Sequence, residues 1–109
     1  FFFPGGPHAA AGNNPRYNGD QVDFIADTLL WMREHDLTVI EATPEAEERW
    51  CAAIEKSISY QPFTEKSYYF GTNVPGKPTR FLLNSAGRPK LLKEIARVRD
   101  TDYAAFATR

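Results

Sequence analysis

The chain opens on three phenylalanines, Phe1–Phe3, which run directly into the turn-forming segment Pro4–Pro7. Such an apolar run is typical of a strand buried on both faces of an α/β sheet, and the proline–glycine cluster after it indicates a tight turn. An unpaired strand of this kind would expose an edge that favours aggregation. A secretory signal would need a basic start and a longer apolar core. We therefore predict that Phe1–Phe3 is the last strand of a sheet completed by other residues or chains, and that the chain is the tail of a larger protein.

Composition excludes several classes of protein. With 109 residues, of which 42% are hydrophobic, the chain has room for one small domain with a modest core. A formal net charge of −1 and a pI near 6.1 argue against a nucleic-acid partner or an anionic membrane. The single cysteine, Cys51, excludes a disulfide framework, and His8 and His35 lack the spacing of metal ligands. We expect no metal, no membrane partner and a cytoplasmic protein.

The first helical pattern lies in the first half of the chain. Apolar residues recur there at three- and four-residue steps, which predicts an amphipathic helix over Asp20–His35. Asn18 or Asp20 is expected to cap its start. The apolar positions that should face the core are Val22, Ile25, Leu29 and Met32.

Two further helices and one strand are predicted downstream. Thr43 followed by Pro44 is a strong helix start, and a last helix is expected over Pro89–Arg99. Arg80–Leu83 is predicted to be a strand. The fold class is accordingly α+β, mostly helical with short strands. The apolar positions of the second helix are Trp50, Ile54 and Ile58, those of the last helix are Leu91, Leu92, Ile95 and Val98, and Tyr103 and Phe106 could anchor the tail.

A loop rich in glycine, proline and asparagine connects the first strand to the first helix. Its two informative parts are Gly5–His8 and Asn13–Arg16. In open α/β sheets, ligands bind beyond the carboxyl ends of strands, where helix N-termini offer free N–H groups. The alternative is an ordinary connector, because these residue types fill loops everywhere. The residues alone leave both interpretations open.

A second unusual loop runs from Gly71 to Pro78. Two prolines bracket Gly76-Lys77, so the loop is stiff and presents one cation beside Asn73. A functional loop would recognise phosphate or ribose through Lys77 and Asn73, whereas the alternative is a rigid surface loop with a solvated lysine. It lacks the spacing and the following helix of a phosphate-binding P-loop.

Four segments form a distinctive series along the chain. They are FFFPGGPH…NNPR, DQVDFIADTLLWMREH, ATPEAEERW and GTNVPGKP, followed by Tyr103 and Phe106. In this order they cover essentially the whole chain and resemble the C-terminal end of Baeyer–Villiger monooxygenases. The combination of the GGPH…NNPR loop with GTNVPGKP carries most of the resemblance.

The resemblance implies a parent α/β flavoprotein with two dinucleotide-binding domains, which hold FAD and NADPH and use O₂ to convert a ketone into an ester or lactone. Residues 1–19 would be the last strand of the FAD domain and a flavin-facing loop, and residues 20–60 a helical part. Residues 61–83 resemble the control loop that closes over the nicotinamide cofactor, and residues 84–109 the C-terminal helix and tail. The implied partners are the rest of the parent chain and a ketone substrate.

The resemblance also assigns site residues, none of them catalytic. The implied FAD-binding residues are Gly6, Pro7, Asn13 and Asn14, and the implied NADP-binding residues are Tyr68, Asn73 and Lys77. The implied substrate pocket consists of Ala11, Gly12, Asn14 and Leu83.

The chain departs from the family in ways that matter. The family usually has Trp where this chain has Tyr68, and this difference bears on the contact with the cofactor ribose. It has bulkier residues at Ala11 and Gly12, which suggests a roomier pocket in this chain, and it usually has Gly-Gly at Ala86-Gly87. The GxGxxG fingerprints, the signature between them and the active-site Arg do not occur in this sequence. The chain alone is therefore expected to be inactive. Two alternatives remain, a fragment of a flavin-dependent N-hydroxylase and a non-catalytic helical interaction module.

Overall fold

The computed structural model describes residues 1–58, 68–72 and 74–109, which form three helices and two small two-stranded sheets. In chain order the elements are β1 (Ala9–Ala10), α1 (Asn14–Glu34), β2 (Ile40–Ala42), α2 (Pro44–Ser57), a 3-10 turn (Tyr68–Phe70), β3 (Leu83–Asn84), α3 (Arg88–Asp100) and β4 (Phe106–Thr108). The predicted fold class, mostly helical with short strands, is confirmed for this part of the chain. Within it, no helix combines the length and apolarity needed to cross a bilayer.

Helix α1 begins earlier than predicted, at Asn14 rather than at Asp20. The side chain of Asn13 caps it, because its Oδ1 accepts a hydrogen bond from the backbone N of Arg16 at 3.1 Å. The predicted caps, Asn18 and Asp20, both lie inside the helix and are wrong.

The helix runs through Gly19, where the sequence suggested a loop. A glycine inside a helix costs about 1 kcal/mol relative to alanine. Tertiary contacts on either side of Gly19 offset this cost. Tyr17 is buried in a cluster with Leu91, and Asp20 forms an ion pair with Arg88.

The predicted core face of α1 is only partly right. Met32 is buried, but Val22 and Leu29 keep 51% and 50% of their surface exposed. The face that is covered instead carries Thr28, which is 1% exposed and lies 3.2 Å from the phenol oxygen of Tyr103. Periodicity identifies an apolar stripe on α1, but the C-terminal tail decides which edge of that stripe is buried.

Helices α1 and α3 end in the same way, with an aspartate in the left-handed region. Asp36 has φ 53° and Asp102 has φ 50°. In both cases the next residue, Leu37 or Tyr103, donates its backbone N–H to a carbonyl five residues back at 2.9 Å, which is the Schellman motif. The last helix, predicted over Pro89–Arg99, is confirmed as α3.

Helix α2 begins as predicted. Thr43 Oγ1 accepts a hydrogen bond from the backbone N of Ala46 at 3.2 Å, and Pro44 occupies the first turn. Of its predicted apolar face, Ile54 is 2% exposed and packs with Phe70 and Phe81 in one core cluster. Residues 59 and 60, the end of the predicted helical part, lie outside the described residues.

The two sheets join segments that are distant along the chain. β1 pairs with β3 in parallel, and β2 pairs with β4 antiparallel, with Ile40 opposite Thr108 and Ala42 opposite Phe106. Strand β4 was not predicted. The strand predicted at Arg80–Leu83 is shifted, since only Leu83 belongs to β3.

The strand predicted at Phe1–Phe3 is absent. These residues have no regular structure, and Phe1 and Phe3 are 112% and 68% exposed. Phe3 closes a turn instead, because its carbonyl accepts a hydrogen bond from Gly6 N at 3.3 Å. A strand needs a hydrogen-bonded neighbour, and none of the described residues supplies one. That another segment covers these rings stays a prediction.

Candidate functional site

The parallel pairing of β1 with β3 brings together two segments that carry residues predicted to line the substrate pocket. Ala9 lies opposite Leu83 and Ala10 opposite Asn84, and the backbone N of Ala11 donates to Asn84 O at 3.0 Å. Ala11 and Leu83 are far apart in the sequence, and both were assigned to the substrate pocket. In the structure they lie on adjoining segments.

The loop after β1 turns tightly at Gly12. This residue has φ 138°, a conformation that side chains rarely adopt, and a Cβ atom there would lie 3.1 Å from Tyr17 Cε2. Two residues later, Asn14 is exposed at the first position of α1. Ala11, Gly12 and Asn14 thus follow one another along a loop that starts beside Leu83.

The residues assigned to FAD occupy the turn before β1 and the start of α1. Gly6 O accepts a hydrogen bond from Ala9 N at 3.0 Å, and a Cβ atom at Gly6 would overlap the ring of Phe3. Pro7 is exposed. The Asn13 oxygen caps α1, and its side-chain NH₂ group makes no hydrogen bond within the described residues, so that group can donate to a ligand.

His8, which the sequence showed to lack the spacing of a metal ligand, is half-buried beside helix α2. Trp50 Nε1 donates to His8 Nδ1 at 3.1 Å, and the backbone N of His8 donates to Leu82 O at 2.9 Å. Burial lowers the pKa of His8 below its usual 6.5, against the opposing effects of a hydrogen bond with the Phe81 backbone and of the charge on Glu55. Among the described residues, no three His, Cys, Asp or Glu side chains are grouped so as to hold a metal ion.

Hydrogen bonds of buried polar groups stabilise β3 and the residues that follow it. Ser57 Oγ donates to Ile54 O at 2.6 Å and accepts from Ser85 N at 3.2 Å, which ties α2 to the end of β3. Asn84 is 4% exposed, and its Oδ1 accepts from Ala86 N at 3.0 Å. These bonds satisfy backbone groups that would otherwise be costly to bury. The hydroxyl of Ser85 has no partner within the described residues.

An ion pair that sequence analysis missed fixes α1 to the start of α3. Arg88 Nε lies 2.7 Å from Asp20 Oδ2, and Arg88 Nη2 lies 2.8 Å from Asp20 Oδ1. The hydrogen bonds from Arg88 lower the pKa of Asp20 and raise that of Arg88. No local signal connects these residues, which lie 68 positions apart.

Of the residues assigned to NADP, Tyr68 and Lys77 lie in the described part of the chain. Tyr68 is 65% exposed and packs on Tyr69 with ring centroids 4.2 Å apart. A hydrogen bond with Tyr69 raises the pKa of Tyr68. Lys77 is exposed, and its backbone N donates to Val74 O at 3.3 Å in a turn. Asn73 lies outside the described residues.

A groove of about 1030 Å³ runs between the glycine-rich loop and helices α2 and α3. Gly6, Pro7, His8 and Trp50 line it, and its walls are mostly apolar. The four residues assigned to the substrate pocket are not among its lining residues. The groove therefore does not coincide with the residues predicted to line the pocket.

Comparison with known proteins identifies the relatives of the chain. No protein-family model matches it. It is 34% identical over 102 residues to phenazine N-monooxygenase of Lysobacter antibioticus and 30% identical over 107 residues to Baeyer–Villiger monooxygenase of Pseudooceanicola batsensis. These matches cover 93% and 97% of this chain. The chain is a homologue of Baeyer–Villiger monooxygenases.

The homologues include proteins described by their cofactors. An FAD-binding monooxygenase of Byssochlamys spectabilis is 32% identical over 111 residues, or 99% of the chain. The crystal structure of cyclohexanone monooxygenase from Rhodococcus sp. Phi1 bound to NADP⁺ superposes with a TM-score of 0.84 at 32% identity over 94% of the chain. The chain spans only about a fifth of the length of these relatives, 19% and 20% respectively. In these relatives, the fold described above corresponds to one part of a larger protein.

Proposed function

We propose that this chain is the C-terminal part of an FAD- and NADPH-dependent monooxygenase that inserts one oxygen atom of O₂ next to a ketone carbonyl. The observation that carries the proposal is the pairing of β1 with β3, which sets Ala11 beside the segment of Leu83. This pairing belongs to a fold with a TM-score of 0.84 to a cyclohexanone monooxygenase bound to NADP⁺. The product would be an ester or lactone.

The glycine-rich loop fits the flat edge of a flavin. Gly6 and Gly12 carry no side chain, so the rings of Phe3 and Tyr17 can lie close to the backbone there. Asn13 and Asn14 stand at the N-terminus of a 21-residue helix, where N–H groups favour electron-rich ligand atoms. Asn14 and the NH₂ group of Asn13 would donate hydrogen bonds to the flavin, and Gly6-Pro7 would turn the chain toward it. FAD would supply the electron transfer to O₂, and this loop would hold and orient it.

The small residues after β1 suit a ketone pocket. Ala11, Gly12, Asn14 and Leu83 would line it, with Asn14 shared between flavin and substrate. Tyr68, Asn73 and Lys77 would contact NADPH, with Lys77 offering its ammonium group to a phosphate or ribose oxygen. In this proposal the other partners are the remaining part of the parent chain and the ketone.

The test compares the full-length protein that carries this chain with the 109 residues alone. The full-length protein should bind FAD, consume NADPH faster when a cyclic ketone is added, and release the lactone. The isolated chain should show no flavin absorbance shift and no ketone-stimulated NADPH consumption, because it lacks the elements that position the reactants. A full-length protein that holds FAD but never produces an ester or lactone would contradict ketone oxidation.

N-oxidation is the second candidate, and one observation favours it. The relative with 34% identity is a phenazine N-monooxygenase. Such an enzyme would oxidise a nitrogen atom of the substrate with the same two cofactors. Parallel assays with a phenazine and a cyclic ketone distinguish the two functions, since the products are an N-oxide and a lactone.

A further inference from the structure

His8 and Trp50 form a link that none of the roles above uses. The indole N–H of Trp50 donates to His8 Nδ1 at 3.1 Å. Because an indole can only donate, Nδ1 must accept with its lone pair, so the imidazole is neutral and carries its proton on Nε2. The backbone N–H of His8 binds Leu82 O at 2.9 Å. One residue therefore ties the glycine-rich loop both to helix α2 and to the segment that leads into β3.

The backbone of His8 shows that this link is under constraint. Its φ is 63°, an uncommon conformation for any residue other than glycine. Such conformations persist where the surroundings over-determine them, often at functional sites. Here the hydrogen bonds to Leu82 and Trp50 supply the constraint, since they hold the backbone and the side chain of His8 respectively.

Protonation of His8 would break its hydrogen bond with Trp50. An imidazolium would place an N–H on Nδ1, facing the N–H of Trp50. The nearby acid on α2 is Glu55, which is already paired with Arg80 at 3.5 Å. The other charged residues that line the groove are Glu47, Arg49 and Lys56 on α2, and Lys90, Lys93 and the Glu94–Arg97 pair on α3. Burial lowers the pKa of His8, whereas the charge on Glu55 and the hydrogen bond with the Phe81 backbone act in the opposite direction.

We propose that His8 is the positioning residue of this loop. Its neutral imidazole, held by Trp50, ties the turn at residues 5–8 to helix α2, and its protonation loosens that turn. The consequence for catalysis rests on the proposed function, because that function makes this loop the support of the flavin. The hydrogen bond between His8 and Trp50, called the clasp below, rests only on the geometry of the chain.

The clasp is tested first in the chain itself by NMR. Long-range ¹H–¹⁵N spectra report the tautomer and titration of His8, with His35 as the second imidazole in the same sample. We expect the Nε2–H tautomer at neutral pH. Relative to the intrinsic exchange rate at each pH, the Trp50 indole N–H should exchange roughly fivefold faster once His8 is protonated, as for the loss of one neutral hydrogen bond. Trp50→Phe should raise the pKa of His8, since it removes a bond to the neutral form, and Trp31→Phe should not. An Nδ1–H tautomer, or a His8 titration that Trp50→Phe leaves unchanged, overturns the clasp.

The catalytic consequence is tested in the full-length protein by pH profiles of ketone-stimulated NADPH oxidation. His8→Leu should lower kcat/KM about fivefold at neutral pH, as for one lost hydrogen bond. His8→Gln restores an acceptor without a titrating proton, so it should recover that loss and abolish the decline on the acid side. An unchanged acid decline in His8→Gln overturns the positioning role. A wild-type protein without monooxygenase activity contradicts the proposed function instead, and the NMR result still decides the clasp.

Discussion

Asp20 and Arg88 form a two-point ion pair across the first and last helices, with Nε–Oδ2 and Nη2–Oδ1 distances of 2.7 and 2.8 Å. The planar guanidinium matches the carboxylate, so each charge is neutralised and each helix is held in register with the other. Arg88 is also the first residue of α3, directly after the loop that follows β3. The pair therefore fixes the segment after β3 to α1.

Asp20→Asn should destabilise the chain at neutral pH and make its stability less dependent on acid. Arg88 lowers the pKa of Asp20 from its usual 3.8, so the ionised form is favoured by folding. The stabilisation is complete above the unfolded pKa and disappears as the pH falls through the lower, folded pKa. Thermal unfolding between pH 2 and 7 should show the largest difference from wild type near pH 7 and none at the acid end.

Asp23→Asn is the matched control, since it removes one carboxylate from the same helix and Asp23 has no ion pair within the described residues. Its stability should stay near that of the wild type at every pH. Equal losses in both variants would show that general charge, and not the pair with Arg88, is responsible.

Gly19→Ala should stabilise the chain by about 0.5–1 kcal/mol, because Gly19 lies inside α1 and no atom lies within 4 Å of the position that a Cβ would take. Urea unfolding measures the gain. Gly12→Ala is the contrasting variant and should destabilise, since Gly12 has φ 138° and a Cβ would crowd Tyr17. A loss of stability in Gly19→Ala would show that the helix is not continuous at this position.

Tyr103→Phe should cost about 1 kcal/mol of unfolding free energy, the usual loss when one buried neutral hydrogen bond is removed. The phenol of Tyr103 is buried and lies 3.2 Å from Thr28 Oγ1. Thr38→Val removes an exposed hydroxyl that lies 3.3 Å from Arg109 O, and it should change stability by less than about 0.5 kcal/mol. Chemical denaturation of the two variants compares them directly, and equal effects would exclude a special role for the buried bond.

Lys77→Ala or Asn73→Ala in the full-length protein should weaken NADPH affinity about tenfold to a hundredfold, the effect of one lost polar or charge-assisted hydrogen bond, without changing flavin content. Tyr68→Trp should keep or improve activity, because it introduces the residue usual in the family. Steady-state kinetics with varied NADPH provide the measurement, and Lys93→Ala on α3 controls for loss of a surface cation. If both alanine variants keep wild-type NADPH kinetics, the segment predicted as the Gly71–Pro78 loop does not contact the cofactor.

The sequence by itself determined the elements whose signals are local. Thr43 and Pro44 mark the start of α2, and the apolar period marks α3, because caps, proline and periodicity act within one or two helical turns. The order of motifs also identified the homologues. Local signals misplaced the start of α1, since Asn18 and Asp20 are as suitable for a cap as Asn13.

Only the tertiary structure decided which distant segments meet. The pairing of β1 with β3, the addition of β4 to β2 and the ion pair of Asp20 with Arg88 join residues far apart in the chain. The sequence around a hydrogen-bond donor or a carboxylate does not indicate its partner, because the packing of whole helices selects that partner. For the same reason the sequence suggested a glycine-rich binding loop, but only the folded chain showed that Trp50 holds its histidine.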